Sequence, residues 1–450
     1  MFKKIELWLV LLLILAITFS FGVLVRQELE GNRKLGLISL TALEISRLPA
    51  RISWLLNTEN IDPQRTSSNS NSKKLVNKIL NKYNNDALYL ISRYDASIKE
   101  SIVELRKIRN FDLLHTYYVD QNIIFKNLKN SENRLNFKKE NLFGERFQID
   151  HPLILNDGSM IAKGGGSLFK LNLCNKLVWV NNEITVHHSN SFDNEGNIWS
   201  PSHLHDKSID KNILKDDKDF MEDGIAKFSP EGKMLFNKSL ISIFQENNLQ
   251  GLIFGIDRKL FNDPTHLNDI EIANNDTKFW KKDDLFLSLR HRSMIIHYRP
   301  KNNKIINVIY GPMGHQHDID FFSEKEISVF NNNNFSNPSG ESNTKNNELL
   351  IYNFETKDFY NKYENVFKKL NINTPTAGLS DRLNDESLLV EETDYGRVIY
   401  LTKDEQVIWE FNNIFEEQNY RIGWGRVVEG KELIDSIIKS LENKNCTIRK

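Results

Sequence analysis

Histidine is concentrated in the middle of this chain, in three short phrases that each precede a predicted strand. The sequence contains 11 histidines, and only two of them lie outside the interval from His187 to His317. A neutral imidazole is abundant near neutral pH and is a nitrogen nucleophile, so clustered histidines can perform group transfer or proton transfer. The three phrases are Val186–Asn190 (VHHSN), Asp263–Asp269 (DPTHLND) and Gly311–Asp320 (GPMGHQHDID).

The strands around these phrases belong to an internal repeat: a turn, a short apolar strand, a gap, a second strand, a turn and a third strand. Apolar and polar residues alternate with period two in each copy, which is typical of half-buried antiparallel strands. One such unit cannot bury its own apolar faces, whereas units arranged around an axis can, as in a β-propeller. Six copies can be recognised: Asn156–Val180, Lys282–Gly311, Asn384–Phe411, and the weaker Asn85–Tyr118, Asn194–Phe236 and Ser323–Tyr360.

The predicted fold is all-β, a six-bladed β-propeller over residues 85–430. The segments that enter the first strand of each blade approach the central axis, so we expect the three histidine phrases to converge at one end of the channel. His187 and His188 are neighbours and would face opposite ways on a strand, so we expect only His188 to face the channel. A polar insert, Asn331–Asn347, is expected to be a mobile loop.

Near the N-terminus lies an uncharged apolar segment, Leu7–Val25, which is long enough to span a bilayer core. We interpret residues 1–30 as an uncleaved membrane anchor, because no small-residue cleavage site follows the apolar segment, with a cleaved signal peptide as the alternative. Residues 31–84 are predicted to be a helical and polar linker region. Residues 431–450 are predicted to form a C-terminal helix and tail that packs outside the last blade. Basic residues flank the apolar segment on both sides, so charge leaves its orientation open.

The net charge of the chain bears on one class of partner, the nucleic acids. The formal net charge is −1, so bulk electrostatics do not favour nucleic acid, and no nucleic-acid partner is predicted. The two cysteines, Cys174 and Cys446, are far apart and match no metal-binding spacing. We expect two unpaired thiols, with a single disulfide as the alternative.

Four further histidines of the central interval are predicted to be surface or turn residues; they are His203, His205, His291 and His297.

The residues around the histidine phrases resemble those of the bacterial arylsulfotransferases, the PAPS-independent aryl sulfotransferases. His187 and His188 precede a D-x-(D/E)-G-N strand, and the phrase D-x-x-H-x-N precedes an S-x-R strand. A third phrase has the form G-P…Q-H-D, and the last repeat ends on W-E as in that family. The matching segments are Asp193–Asn197, Asp263–Asn268, Ser288–Arg290, Gly311–Asp318 and Gly396–Glu410. The resemblance covers about residues 85–430.

The resemblance implies a site for sulfuryl transfer that uses no cofactor. His317 would carry the sulfuryl group as a sulfohistidine, with Asp318 or a backbone carbonyl fixing its tautomer. His266 or His188 would protonate the leaving phenolate. Three residues are predicted to bind the substrate, since arginine presents a fork of donors to an oxyanion and the others add hydrogen bonds; they are Arg290, Asn268 and His187.

A metal site is the alternative reading of the same histidines. His315 and His317 form an H-x-H pair that would face one side on a strand, and His188 and His266 could complete a ligand set. We predict no metal, because no acidic ligand recurs at the same depth and an arginine in the site favours an anion.

The sequence therefore supports an enzyme, an aryl-sulfate sulfotransferase acting on a small-molecule aryl sulfate and a phenol. The alternative is a catalytically inactive propeller that binds sulfated or phenolic ligands or scaffolds an envelope complex, since one fold hosts many functions. We expect a single-pass protein of the bacterial inner membrane, held by its N-terminal helix, with the propeller facing the periplasm. A homodimer is left open as its assembly state.

Overall fold

The computed structural model describes residues 6–29, 35–58, 64–66, 78–79, 83–125, 147–214, 220–254, 260–336 and 342–446. They fall into two compact units, Met1–Pro63 and Gln64–Lys450. The first unit contains two helices, Leu7–Leu29 and Leu37–Thr58. The segment Leu7–Glu28 is apolar and long enough to cross a membrane. This agrees with the predicted apolar helix near the N-terminus.

The second unit is mostly β, as predicted. Its described residues form six antiparallel sheets of four or five strands, numbered here from first to sixth along the chain. The first consists of Arg426–Val428, Leu88–Asp95, Glu100–Lys107 and Leu113–Tyr118. The second consists of Ile149–Ile154, Met160–Gly164, Ser167–Leu171 and Leu177–Asn181. The third consists of Thr185–Val186, Ser191–Phe192, Ile198–His203, Asp223–Phe228 and Met234–Ser239.

The remaining three large sheets carry the other two histidine phrases and the chain's last repeat. The fourth consists of Leu267–Ile272, Leu285–Leu289, Met294–Arg299 and Lys304–Tyr310. The fifth consists of His317–Ser323, Glu326–Asn331, Glu348–Asn353 and Asp358–Asn361. The sixth consists of Leu379–Arg382, Leu388–Glu392, Arg397–Leu401, Val407–Asn412 and Lys78–Ile79. Two small sheets consist of Arg65–Thr66, Gln418–Tyr420 and Ile414–Phe415, and of Asn334–Ser336 and Ser342–Thr344.

Short helices connect or cover these sheets. The α-helices are Gln121–Phe125, Lys211–Leu214, Leu240–Glu246, Gly251–Phe254, Glu364–Leu370 and Lys431–Glu442, and the 3₁₀ turns are Arg290–Arg292, Pro300–Asn302 and Thr393–Tyr395. The apolar face of Lys431–Glu442 packs through Leu433, Ile437 and Leu441 into a core built by the first and second sheets. The expectation that it covers the last repeat was therefore wrong. The physical reason is that the strand before it, Arg426–Val428, pairs with Leu88–Asp95 of the first sheet.

Side chains on the first-named strands, and those of Ser189 and Asn190 between two strands of the third sheet, tie neighbouring sheets together. Asp269 Oδ2 accepts the Ile319 amide at 2.6 Å. The other links are Asp318 Oδ2 to the Ser380 amide at 2.7 Å, Asp381 Oδ2 to the Val427 amide at 3.2 Å, and Ser189 Oγ to the Ile270 amide at 3.1 Å. Asn190 Nδ2 donates to the His151 carbonyl at 3.2 Å, joining the third sheet to the second. The segments that enter these strands therefore lie close together.

The two cysteines are paired. Cys174 and Cys446 form a disulfide with their Cα atoms 5.4 Å apart. The expectation of two unpaired thiols was wrong, because docking of the C-terminal helix on the first two sheets brings the chain's end beside the turn that holds Cys174. A separation of 272 residues hides that contact from any reading of local spacing.

Candidate functional site

A cavity of about 370 Å³ lies where the histidine phrases meet. Five of the six predicted site residues line it: His187, His188, His266, Arg290 and His317. Asn268, the sixth, is fully buried, and its Nδ2 donates to the Gln316 carbonyl at 2.8 Å. Asn268 therefore supports the backbone next to His317 and is not among the residues that line the cavity.

Three imidazole rings from three different sheets face one another in this cavity. The ring centroid of His188 lies 5.1 Å from that of His266 and 6.4 Å from that of His317. The indole of Trp424 stands nearly perpendicular to His317, at 5.9 Å. The entry segments thus bring together side chains that are up to 129 residues apart in the sequence, from His188 to His317 (317 − 188).

Two of these histidines occupy the left-handed backbone region. His188 has φ 54° and His266 has φ 49°, which is unusual for residues other than glycine and costs roughly 1–3 kcal/mol each. His188 lies between the short strands Thr185–Val186 and Ser191–Phe192, so the alternation of a regular strand does not apply to it. This is why both His187 and His188 line the cavity, where we expected only His188 to do so.

The imidazole of His317 is held in one tautomer. Its Nδ1 donates to Asn332 Oδ1 at 2.6 Å. Asn332 Nδ2 in turn donates to the Thr374 and Ala377 carbonyls at 3.0 and 2.7 Å, so its oxygen must point at His317. The lone pair of the neutral ring is consequently on Nε2. Burial, reinforced by Arg290, holds the pKa of His317 well below its usual value, so the ring is neutral near pH 7.

The residue that orients the His317 ring is not the one that the sequence predicted. Asp318 or a backbone carbonyl was expected to fix the His317 tautomer. The Asp318 carboxylate instead accepts the Ser380 amide and links the fifth sheet to the sixth. Asn332 performs that orientation instead. It lies in the insert that we expected to be a mobile loop, yet it is 0% exposed. Burial of that asparagine, together with three hydrogen bonds, overrides the polar composition of the segment.

A carboxylate orients the second catalytic candidate. His266 Nδ1 lies 2.5 Å from Asp263 Oδ2, and the other oxygen of Asp263 accepts the His266 amide at 3.1 Å. This contact leaves His266 Nε2 as the nitrogen that is available for substrate. The Asp263 carbonyl also accepts Nδ1–H of His291 at 2.8 Å, so His291 Nε2 accepts from Arg290 Nη1 at 2.8 Å. Arg290 is therefore oriented by an uncharged ring, so this contact does not neutralise the guanidinium, which can pair with an anion.

His187 lines the cavity and also belongs to a second cluster, with His203 and Asp223. Its ring stacks on that of His203 with centroids 4.0 Å apart, and Asp223 Oδ1 lies 3.4 Å from His187 Nε2 and 3.3 Å from His203 Nδ1. His187 Nδ1 lies 2.8 Å from His188 Nδ1. Burial alone would raise the pKa of Asp223, but contacts from His187 and His203 lower it well below its usual value. Burial lowers the pKa of His187 to about 4.

Sequence reasoning missed several residues of the cavity wall. Lys163, Thr376, Thr393, Arg421 and Trp424 line it, each from an element without a histidine phrase. Trp424 carried a readable signal, because glycine flanks it on both sides. A Cβ at Gly423 would lie 2.3 Å from the Ile149 carbonyl oxygen, and one at Gly425 would lie 2.4 Å from Glu391 Oε1. Only glycine allows the backbone to bring this indole so close to the neighbouring sheets.

Two arginines and a lysine give the cavity a positive character. Lys163 Nζ pairs with Asp150 at 2.5 Å, and Arg421 pairs with Asp394. Thr376 Oγ1 donates to the same Asp394 at 2.7 Å, which fixes its hydroxyl next to Arg421. The lining also contains one carboxylate, Asp150, but the two guanidinium groups and the ammonium group outnumber it, so the cavity suits an oxyanion.

The family model described as arylsulfotransferase (ASST) matches residues 150–414. This chain belongs to the arylsulfotransferase family. The matched range of this arylsulfotransferase-family chain contains all three histidine phrases, and the match confirms the resemblance seen in the sequence. No curated protein sequence matches the chain.

Solved structures similar to this arylsulfotransferase-family chain are distant. A protein of unknown function from Bacteroides caccae has 10% identity and TM-score 0.47, covering 77% of this chain and 100% of that one. A functionally unknown protein from Desulfotomaculum acetoxidans has 7% identity and TM-score 0.41, covering 76% and 99%. A catalytically inactive virginiamycin B lyase from Staphylococcus aureus, solved with quinupristin, has 13% identity and TM-score 0.34, covering 60% and 72%.

Proposed function

We propose that this protein is an aryl-sulfate sulfotransferase that moves a sulfuryl group from a phenolic sulfate ester to a phenol through His317. The observation that carries the proposal is the orientation of His317 by Asn332. A buried, neutral imidazole whose Nδ1–H is occupied presents the Nε2 lone pair to a cavity lined by cationic groups. That combination suits nucleophilic attack on an anionic ester.

In the first half-reaction, His317 Nε2 attacks the sulfur of the donor. An N–S bond forms, the S–O bond to the aryl group breaks, and the leaving phenolate takes a proton. We assign the proton to His266, because Asp263 at its Nδ1 stabilises the positive charge of the protonated ring. His188 is then a neutral N–H donor, since burial and its neighbour His187 hold its pKa well below the usual value.

In the second half-reaction, the acceptor phenol gives its proton to the now neutral His266 and attacks the sulfur. The N–S bond breaks, and His317 returns to its starting state with atoms and charges balanced. Arg290 is the main candidate to donate hydrogen bonds to the sulfuryl oxygens in both half-reactions, because its orienting partner is the neutral His291. Lys163 and Arg421 add positive charge at the cavity wall, each beside a carboxylate.

We further propose that the six large sheets are the blades of a propeller and that Leu7–Leu29 anchors it to the inner membrane, with the propeller in the periplasm. The links between consecutive first-named strands support a ring of sheets. The Cys174–Cys446 disulfide supports the orientation, because disulfides persist in oxidising compartments and are rare in the cytosol.

The test uses full-length protein in detergent with 4-nitrophenyl sulfate, with and without phenol. We expect nitrophenolate release that phenol accelerates and that His317→Ala abolishes, together with an alkali-stable, acid-labile label on His317 from radioactive donor. His205→Gln is the matched control, since His205 does not line the cavity and should not affect turnover. Saturable binding of aryl sulfates without any turnover would favour the alternative, a propeller that only binds such ligands.

A further inference from the structure

The second helix of the N-terminal unit, Leu37–Thr58, carries a stripe of exposed apolar side chains. At 3.6 residues per turn, five of them fall within an arc of about 100° on one side of the helix. Each is between 46% and 79% exposed, and they are Leu37, Ile38, Ile45, Leu48 and Ile52. Thr41 lies in the same arc, and its hydroxyl donates to the Leu37 carbonyl at 2.7 Å. A stripe of this width is normally buried against a partner.

The opposite side of this helix is fixed to the end of the helix Leu7–Leu29. Ser39 is fully buried, and its hydroxyl donates to Glu28 Oε2 at 2.7 Å. Ala42 and Leu43, one turn further along the same side, are buried as well. Glu28 belongs to the last turn of Leu7–Leu29, so the second helix begins beside the point where the proposed anchor would leave the bilayer.

The contact between the two helices is confined to these adjoining ends. Ser46 lies seven residues after Ser39 and therefore on the same side, yet it is exposed. Residues 45–49 of the second helix and residues 6–20 of the first are all exposed. The second helix thus leaves the first after about two turns and does not run back beside it.

We propose that Leu37–Thr58 lies along the membrane surface next to the anchor and buries its apolar stripe in the lipid of that leaflet. A helix at an interface places its apolar side about 5–10 Å into the boundary between headgroups and acyl chains and keeps its charged side in water. Glu44 and Arg47 fit this arrangement, because they form an exposed ion pair at 2.8 Å away from the stripe. The same charges disfavour a second span through the bilayer core.

Lipid is favoured over a second copy of the chain by the position of the stripe. The bond from Ser39 to Glu28 holds the first residues of the stripe at the end of a helix whose whole length is apolar enough for lipid. The inference therefore rests on the proposed anchor, since only that anchor brings this helix to the membrane.

The stripe is a second attachment and not a replacement for the anchor. One apolar attachment of limited size gives marginal, reversible binding, whereas two attachments together give stable binding. The helix Leu37–Thr58 alone is therefore not expected to hold the chain in membranes once residues 1–30 are removed.

The test uses full-length protein in nanodiscs of phosphatidylethanolamine and phosphatidylglycerol. A nitroxide label is attached to one added cysteine at a time, because the two native cysteines form a disulfide. Power saturation then compares collisions with oxygen, which partitions into lipid, and with a nickel chelate, which stays in water. We expect the oxygen-to-nickel ratio to be several-fold higher at Ile45→Cys and Leu48→Cys than at Ser46→Cys. Ser46→Cys is the matched control, since it is exposed on the same helix but away from the stripe.

A label in the first helix, Leu15→Cys, separates this proposal from that of the anchor. Lipid exposure at Leu15 together with water exposure at Ile45 and Leu48 would leave the anchor intact and overturn the interfacial helix, whereas water exposure at all three positions would overturn both. Exclusion of both reagents at Leu48 would mean that protein covers the stripe. Dipolar broadening there that disappears on dilution with unlabelled chains would identify a second copy as the partner. Either result would overturn the proposal, and none of these readouts depends on sulfotransferase activity.

Discussion

The orientation of His317 by Asn332 allows a quantitative prediction for Asn332→Leu. This change keeps the branching of the side chain at Cγ but leaves the buried Nδ1–H of His317 without the acceptor it has at 2.6 Å. An unsatisfied buried donor costs about 1–3 kcal/mol. The ring can recover that energy by moving its proton to Nε2, which removes the nucleophilic lone pair. Converted at 1.36 kcal/mol per tenfold, the rate of His317 sulfurylation should fall about 5- to 150-fold.

Asn332→Asp separates the effect on tautomer from the effect on packing. The carboxylate keeps an acceptor at Nδ1, but it introduces a negative charge that raises the pKa of His317 from its lowered value. A nucleophilic imidazole must be unprotonated. The wild type should therefore not lose labelling rate as pH falls to about 6, whereas Asn332→Asp should lose activity there and recover it at higher pH.

The assay is the pH profile of single-turnover labelling by radioactive aryl sulfate. Asn194→Leu is the control for an exposed asparagine outside the cavity, and the melting temperature of each variant reports folding. The reasoning fails if Asn332→Leu labels within threefold of the wild type while folded, or if Asn332→Asp keeps the wild-type pH profile.

Three further perturbations test other parts of the structure. Arg290→Lys should cost about 2–4 kcal/mol of transition-state stabilisation, which lowers kcat/KM roughly 30- to 1,000-fold, because a lysine lacks the fork of donors. Arg292→Lys is the control and should have little effect, since Arg292 does not line the cavity. Replacing both Cys174 and Cys446 by serine should lower the free energy of unfolding by about 2–4 kcal/mol, and a reductant should then destabilise the wild type but not the variant, as measured by denaturant titration. Removing residues 1–30 should move the protein from the membrane to the soluble fraction, and retention of the truncated chain in membranes would contradict the anchor.

The sequence predicted the cavity's histidines because a repeat carries positional information. His188, His266 and His317 each lie at or near the start of a repeat's strands, and repeated units present equivalent segments at one end. The S-x-R strand placed Arg290 in the same way. The sequence did not predict the cavity residues that lie outside that pattern. Thr376 follows a proline in a segment without periodicity, and only the Asp394–Arg421 contact shows why its hydroxyl faces the cavity.

The errors share a physical cause, which is that contacts between distant segments overrode local composition. Asn332 belongs to a run of four asparagines that favours a solvated loop, yet its amide satisfies three buried groups at once. Cys174 and Cys446 have no local pattern that pairs them. The strand Arg426–Val428 comes from the last part of the described chain, yet it pairs with Leu88–Asp95 and completes the first sheet. Such contacts form only when distant segments pack together in the folded β-rich unit.

The same interactions that hold the sheets together also place the reacting groups. Asp318 links the fifth sheet to the sixth through the Ser380 amide, and it directly follows His317 in the chain. Asp269 links the fourth sheet to the fifth and lies three residues after His266. A carboxylate that was a candidate for chemistry thus fixes the backbone beside His317, the proposed nucleophile. Because this bond is buried, a change at Asp318 should shift the position of His317 as well as stability, and the two effects should appear together in a comparison of melting temperature and labelling rate.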